Sequence, residues 1–157
     1  MDRLTSPQFP RFMAPAFTLV EIMVVVVIIG LLAAIAIPAF QRVQQKSMAS
    51  RLANDFKQFA DGYQRYVLEN GSWPAAEATA GTVSPTLAPY LPNSWTAASP
   101  VGGGYTWSGS SARIRLIGST ASETLMQKVD TIIDDGDLSA GDFTRMVAAG
   151  SYHLQLH

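Results

Sequence analysis

Apolar residues are distributed along this chain in three regimes. From Phe17 to Ile37 they run almost without a break for 21 residues (FTLVEIMVVVVIIGLLAAIAI). As a helix that run is about 31 Å long, which matches the hydrocarbon core of a bilayer. After Pro38 the pattern becomes striped. Phe40, Val43, Met48, Leu52, Phe56, Phe59, Tyr63, Tyr66 and Val67 recur mostly at steps of three to five, and Arg42, Lys46, Arg51, Asp55 and Asp61 fall largely between them. That spacing predicts one face of an amphipathic helix. Residues 17 to 69 together predict a single helix about 80 Å long at about 1.5 Å per residue. Gly30 and Pro38 are its weak points, and Pro38, which has no N–H to donate, is expected to kink or locally melt it. A tolerated kink and a melting point used in assembly both fit that pair.

The third regime is short and broken. Asn70-Gly71 predicts the helix stop, since Gly or Asn commonly follows the last turn. Asn70-Gly71-Ser72 also fits a glycosylation acceptor, but as a helix end it needs no sugar. Residues 70–104 are rich in Ala, Pro, Gly, Ser and Thr and predict a long irregular connection, with Tyr90, Leu91 and Trp95 as anchors. Strand-like pieces follow at Gly104 to Trp107 and Ala112 to Ile117, around a Ser-Gly-Ser-Ser turn at 108–111. Ser119 to Asp134 reads as a second helix, 120–134, with Thr120 and Glu123 at capping-box spacing. Leu125, Met126, Val129, Ile132 and Ile133 give it an apolar face. Phe143 to Val147 and Tyr152 to Leu156 read as a closing hairpin around Ala149-Gly150. The fold class is α+β: a long N-terminal helix, half transmembrane and half amphipathic, packed on a small antiparallel head. The expected domains are 1–16, 17–37, 38–69 and a globular head 70–157, itself divided into a loop 70–104 and a sheet region 105–157.

Composition narrows this little. The chain has 157 residues, a formal charge of −1 and no cysteine. No clustered basic surface exists for phosphate contacts, so nucleic acid is not an expected partner. No disulfide, zinc-finger spacing or thiol nucleophile is available. Residues 1–16 (MDRLTSPQFPRFMAPA) precede the apolar run and contain three prolines with Arg3 and Arg11, so they are not the apolar region of an ordinary signal peptide. A plain signal anchor would explain the length of the run. It would not explain Glu21, a carboxylate whose burial at mid-helix costs about 2.5 to 3.5 kcal/mol on insertion scales.

Phe17-Thr18-Leu19-Val20-Glu21, followed by a long apolar helix, resembles the type IV pilin-like proteins: the pilins of type IV pili and the pseudopilins of type II secretion systems. Counted from Phe17, Glu21 is fifth, Gly30 fourteenth and Pro38 twenty-second, the family's places for these residues. The resemblance covers residues 14 to about 66. It implies a leader, 1–16, removed by prepilin peptidase between Ala16 and Phe17, and N-methylation of the new amine on Phe17. The family usually has Gly before the cut; Ala16 departs from that and implies slower processing. The resemblance further implies that Glu21 of one subunit meets the cationic N-terminus of its neighbour, with Gly30 and Pro38 shaping the packed helix. Its partners are then identical or homologous pilin subunits, prepilin peptidase, an inner-membrane assembly platform and, before assembly, the membrane. A bare Arg/Lys count would place the C-terminal side in the cytoplasm. The resemblance implies the opposite: a single-pass inner-membrane precursor with the leader cytoplasmic and the head outside, then a pilus or periplasmic filament.

Two further readings stay open. One is a minor or tip subunit whose head binds a surface, DNA or secreted cargo; a retained Glu21 favours the filament body. The other is a membrane-tethered enzyme, and only an aspartate cluster speaks for it. That cluster is Asp134-Asp135-Gly136-Asp137, with Asp130 and Asp142 nearby. The favoured reading is a helix end at Gly136 with solvated turn aspartates and no cofactor. Calcium on Asp134, Asp135, Asp137 and Asp142 is the competing one, although the EF-hand register fails at Ala140 and Met146. His153 and His157 lack a Cys partner or triad spacing and read as surface residues. Trp73, Trp95 and Trp107 read as packing of a small head rather than a sugar-binding face.

Overall fold

The computed structural model describes residues 17–148 and 150–157. Helix α1 spans Leu19–Asn70 and is continuous through Pro38. Pro38 is thus accommodated inside the helix without a local break in this structure, although it has no N–H to donate to the ladder. The helix ends where expected. Gly71 takes φ +74°, its N–H donates to the Val67 carbonyl at 2.7 Å, and Asn70 Nδ2 donates to the Tyr66 carbonyl at 2.9 Å. The described residues divide into two compact units, one ending at Phe40 and the other Gln41–His157.

In the second unit a four-stranded antiparallel sheet packs on the C-terminal part of α1. Its strands are β1 (Gly104–Trp107), β2 (Arg113–Ile117), β3 (Phe143–Arg145) and β4 (Tyr152–Gln155), in the spatial order β1-β2-β4-β3. The register pairs Tyr105 with Leu116, Ile114 with Leu154 and Phe143 with Leu154. Strand alternation therefore aims Tyr105, Trp107, Ile114, Leu116, Phe143, Tyr152 and Leu154 at one face, and all are buried. The expected hairpin is present as β3–β4, although Ala149 at its turn lies outside the described residues.

The buried stripe of α1 is Ala49, Leu52, Ala53, Phe56, Phe59, Gly62 and Tyr63. It begins later than the sequence pattern suggests, since Phe40, Val43 and Met48 remain 63%, 65% and 40% exposed. Three of its members are small residues that a search for large apolar side chains passes over. Phe56 meets Tyr105 and Phe143 edge-on with centroids 5.8 and 5.2 Å apart, Phe59 meets Tyr105 at 4.7 Å and Trp95 at 5.0 Å, and Tyr63 stacks on Trp107 at 4.0 Å. Such pairs contribute about 0.5 to 1.5 kcal/mol each beyond area burial. The 70–104 connection is pinned to this seam. Trp95 is fully buried with its indole N–H on the Thr82 carbonyl, and the Tyr90 hydroxyl donates to Glu69. The bare α-carbon of Gly62 lets the Tyr90 carbonyl approach α1 where a methyl group would collide.

Helix α2 (Glu123–Ile133) is shorter than expected and is capped differently. Ser122, not Thr120, is the N-cap, and its hydroxyl accepts the Leu125 N–H at 3.3 Å. Thr120 is occupied elsewhere: its N–H and hydroxyl both donate to the Val101 carbonyl, which ties it to the preceding loop. Phe59→Ala is expected to destabilise the second unit by about 3 to 5 kcal/mol, and Gly62→Ala by about 1 to 3 kcal/mol through overpacking against the Tyr90 carbonyl. Near-UV circular dichroism melts of the full chain in detergent check both. A Phe59→Ala melting temperature equal to wild type would mean that the aromatic seam is not what holds sheet to helix.

Candidate functional site

The N-terminal motif lies on the first turns of α1. Thr18 caps the helix: its Oγ1 accepts the Glu21 N–H at 3.2 Å, and its carbonyl accepts from Glu21 and Ile22. Thr18-Leu19-Val20-Glu21 is thus a capping-box sequence, a signal present in the chain that the sequence reading passed over. Glu21 stands in the first turn with its side chain exposed, where a negative charge is favoured by the helix dipole. Among the described residues nothing pairs with its carboxylate.

From Phe17 to Val43 nearly every side chain is exposed, and the most apolar stretch of α1 has none of its residues buried. A run this long and apolar has the dimensions of a membrane span. Gly30 has nothing within 4 Å of where a Cβ would sit. Its small size therefore answers no contact within the described chain. Pro38 lies inside the continuous helix, two residues before the boundary between the compact units. Phe17 is exposed ahead of the helix, while Ala16 and the cut assigned to the Ala16–Phe17 bond lie outside the described residues.

The acidic turn is resolved in detail and regroups the expected residues. Asp137 Oδ1 accepts the Ser139 N–H and hydroxyl at 3.0 and 2.6 Å, which holds its carboxyl below the ordinary carboxylate range. Asp142 pairs with His157 at 2.8 Å. Asp134 Oδ2 accepts the Asp142 N–H, and Asp135 Oδ1 accepts the Asp137 N–H at 2.8 Å. The carboxylates that converge are Asp134, Asp135 and Asp130, with one oxygen of each within 4.8 Å of the others. Asp130 was noted in the sequence only as a neighbour. It is 0% exposed, and apart from the Gly136 amide its carboxylate oxygens have no hydrogen-bond partner among the described residues. Burial first, then the charges of Asp135, Asp134 and Asp137, push its pKa up to about 6, and only the Gly136 amide opposes that shift.

The outer face of the sheet carries a polar row. His153 is half-buried rather than a surface residue. It pairs across strands with Arg115 and Thr144, Thr144 Oγ1 lies 3.1 Å from its Nε2, and its Nδ1 is buried without a partner. His157 is exposed, as expected. Trp95 and Trp107 are buried and Trp73 half-buried, so no open aromatic face is formed by these three.

The family described as the prokaryotic N-terminal methylation motif matches residues 14–37. The chain is 39% identical over 75 residues to fimbrial protein EcpC of Eikenella corrodens, covering 48% of this chain and 49% of that protein. It is 36% identical over 69 residues to a type IV major pilin protein PilE1 of Neisseria gonorrhoeae, covering 44% and 42%. It is 45% identical over 53 residues to the type IV major fimbrial protein FimA of Dichelobacter nodosus, covering 34% of each. The chain spans about half or less of the length of these curated relatives. In fold it is similar to the major type IV pilin PilA1 from Clostridium difficile, with a TM-score of 0.54 at 14% identity over 71% of this chain and 95% of that one.

Burial first, then the charges of Arg113 and Arg115, lower the pKa of His153 from its model-peptide value of 6.5. As pH falls through 6.5 the unfolded chain takes up a proton that the folded chain resists, so stability is lost over that window and stays lost below the depressed folded value. Melting temperatures of wild type and His153→Gln between pH 7.5 and 5 test this. The difference between them is expected to shrink as the pH drops, and a constant difference would count against the assignment.

Proposed function

We propose that this chain, a type IV pilin-like protein by motif, relatives and fold, is a non-enzymatic structural subunit of a type IV pilus or of a type II secretion pseudopilus. One observation carries the reading. The N-terminal part of α1 is a continuous apolar surface that nothing in the described chain covers, headed by a capped turn with an unpaired glutamate. Such a surface needs lipid first and other helices afterwards. The precursor is then a single-pass inner-membrane protein with residues 1–16 cytoplasmic and the head outside. Prepilin peptidase cuts between Ala16 and Phe17, an assembly platform extracts the subunit, and its helix joins those of identical or homologous subunits in the filament core. Gly30, with open space around it, leaves room for a neighbouring helix to approach closely. A tip or minor role is less well supported, because Glu21 is retained at the position that pairs with a neighbour's amine.

Processing is tested by mass spectrometry of the mature protein, which is expected to begin at a methylated Phe17. Ala16→Gly should speed the cut and Ala16→Leu should block it. An intact Met1 terminus in mature protein would overturn the assignment. Glu21→Gln should retain insertion and processing, since the charge that opposes burial is gone. Filament yield should fall steeply, because the neighbour's buried amine loses its counter-charge at about 3 to 5 kcal/mol per contact. Sheared filament and membrane fractions of wild type and variant are compared, and wild-type filament levels in Glu21→Gln would remove Glu21 from assembly.

A further inference from the structure

We propose that the outer face of the sheet holds a binding site for one small phosphate-class oxyanion, built on Arg115 and His153 and flanked by Thr106 and Thr144. The register sets these four side by side. Thr106 on β1 opposes Arg115 on β2, Arg115 opposes His153 on β4, and His153 opposes Thr144 on β3. Neighbours in such a row have Cβ atoms about 4.5 to 5.5 Å apart. Every member can donate a hydrogen bond, and none is a carboxylate. A second observation is independent of that pattern. Thr106 is 2% exposed, and its Oγ1, the Arg115 Nε and the His153 Nδ1 are all buried without a hydrogen-bond partner among the described residues. Buried polar atoms in folded proteins are rarely left so, and here three of them are neighbours in one row. The polar groups beside them are engaged elsewhere. Thr144 Oγ1 lies 3.1 Å from the other ring nitrogen of His153, and Gln155 accepts from Arg113 Nε at 2.6 Å while donating to the Ser111 carbonyl at 3.0 Å. Arg115, His153 and Thr144 are half-buried and Arg113 is exposed, so the row remains open to solvent.

The charges on this face are of one sign. Arg113 stands two residues before Arg115 on β2, and neither has a carboxylate partner. The ion pairs among the described residues join Arg145 to Glu123 and His157 to Asp142 instead. Burial first, then Arg113 and Arg115, hold the His153 pKa below its ordinary value, and no carboxylate enters that balance. An anion seated in the row reverses the second influence, because an opposite charge nearby favours the imidazolium, whose two nitrogens both donate. The guanidinium fork of an arginine matches the oxygens of a carboxylate or a phosphate. Placement decides between them. Donors stand on both sides of Arg115, which suits a tetrahedral group with more than two accepting oxygens, whereas a planar carboxylate is satisfied by the fork alone. Two arginines and a histidine match one small anion, not the clustered basic surface that a nucleic acid needs. The opposite face of the same strands packs on α1, so the site stands or falls apart from the filament reading.

The test follows the imidazole resonances of the full chain in detergent by NMR as sodium phosphate is added, with ionic strength held constant by sodium chloride. The chain has two histidines, and His157, paired with Asp142 off the row, is the internal reference. The His153 resonances are expected to move saturably with a Kd of about 1 mM or tighter, and the His153 pKa to rise by about one unit at saturation. His157 should not respond. Arg115→Gln should weaken phosphate binding about tenfold or more, whereas Arg145→Gln should bind as wild type does. Thr106→Val keeps the shape and removes the hydroxyl, so it should weaken binding about threefold and raise the melting temperature without phosphate. If Arg115→Gln fails to fold, Arg113→Gln, at an exposed position, should weaken binding about threefold as well. His153 shifts that phosphate and chloride produce equally would overturn the proposal, and so would wild-type affinity in both arginine variants. Acetate binding as tightly as phosphate would remove the phosphate class. A short DNA duplex that competes at a lower phosphate-group concentration than free phosphate would replace the small anion by a polyanion.

Discussion

One helix in this protein must satisfy two solvents. Its stripe from Ala49 to Tyr63 finds partners within the chain, in the aromatic seam with Tyr105, Trp107, Trp95 and Phe143. Its earlier residues find none, and large side chains such as Leu19 and Ile35 stand 76% and 74% exposed. No rearrangement of a head this small could cover both lengths, because the sheet is only four strands of three to five residues. The apolar half is therefore committed to lipid or to other helices by arithmetic of surface alone.

Where the sequence was legible, the reason is periodicity over length. A 52-residue helix with an uninterrupted apolar half and a striped half outlasts local ambiguity, and the Asn70-Gly71 stop has its own stereochemistry in the left-handed glycine. The four strands were also found, because each alternates large apolar residues over a few positions between turn residues. What escaped was set by contacts across the fold. Phe40, Val43 and Met48 continue the stripe in sequence but stay exposed, so spacing could not tell them from Leu52. Ala49, Ala53 and Gly62 were passed over because they matter by being small. Thr120 has the capping spacing, but the Val101 carbonyl claims both its donors, and Ser122 takes the role. His153 read as a surface residue because burial on the outer face depends on neighbours in β2 and β3.

The acidic turn shows the same division. A run of aspartates is visible in any sequence, and counting positions invites a loop register. The fold chooses otherwise, because Asp130, Asp134 and Asp135 converge at a helix end while Asp137 turns back on Ser139. Spacings of four and five along a helix and its exit could have pointed to this trio, since residues four apart share a helical face. What spacing could not supply is that Asp130 is buried, which depends on what packs over α2.

Glu21 brings the two levels together. In a soluble helix a glutamate at the third position is commonly spent on the helix itself, reaching back to satisfy a free amide in the capping box. Here Thr18 supplies the half of the box that restrains the first turn, donating no charge and leaving the carboxylate unpaired among the described residues. The helix start is thus fixed by a neutral hydroxyl, while the charge stays available. A free carboxylate one turn inside an apolar helix is tolerable near the interface and costly in a dry core. That asymmetry ties packing of the apolar half to the arrival of a cation at the same depth. Packed without such a partner, the helices would bury an uncompensated charge; packed in the register that brings a neighbour's amine to it, they would not. In the proposed filament, that residue would give a bundle of otherwise featureless apolar helices a reason to stop sliding.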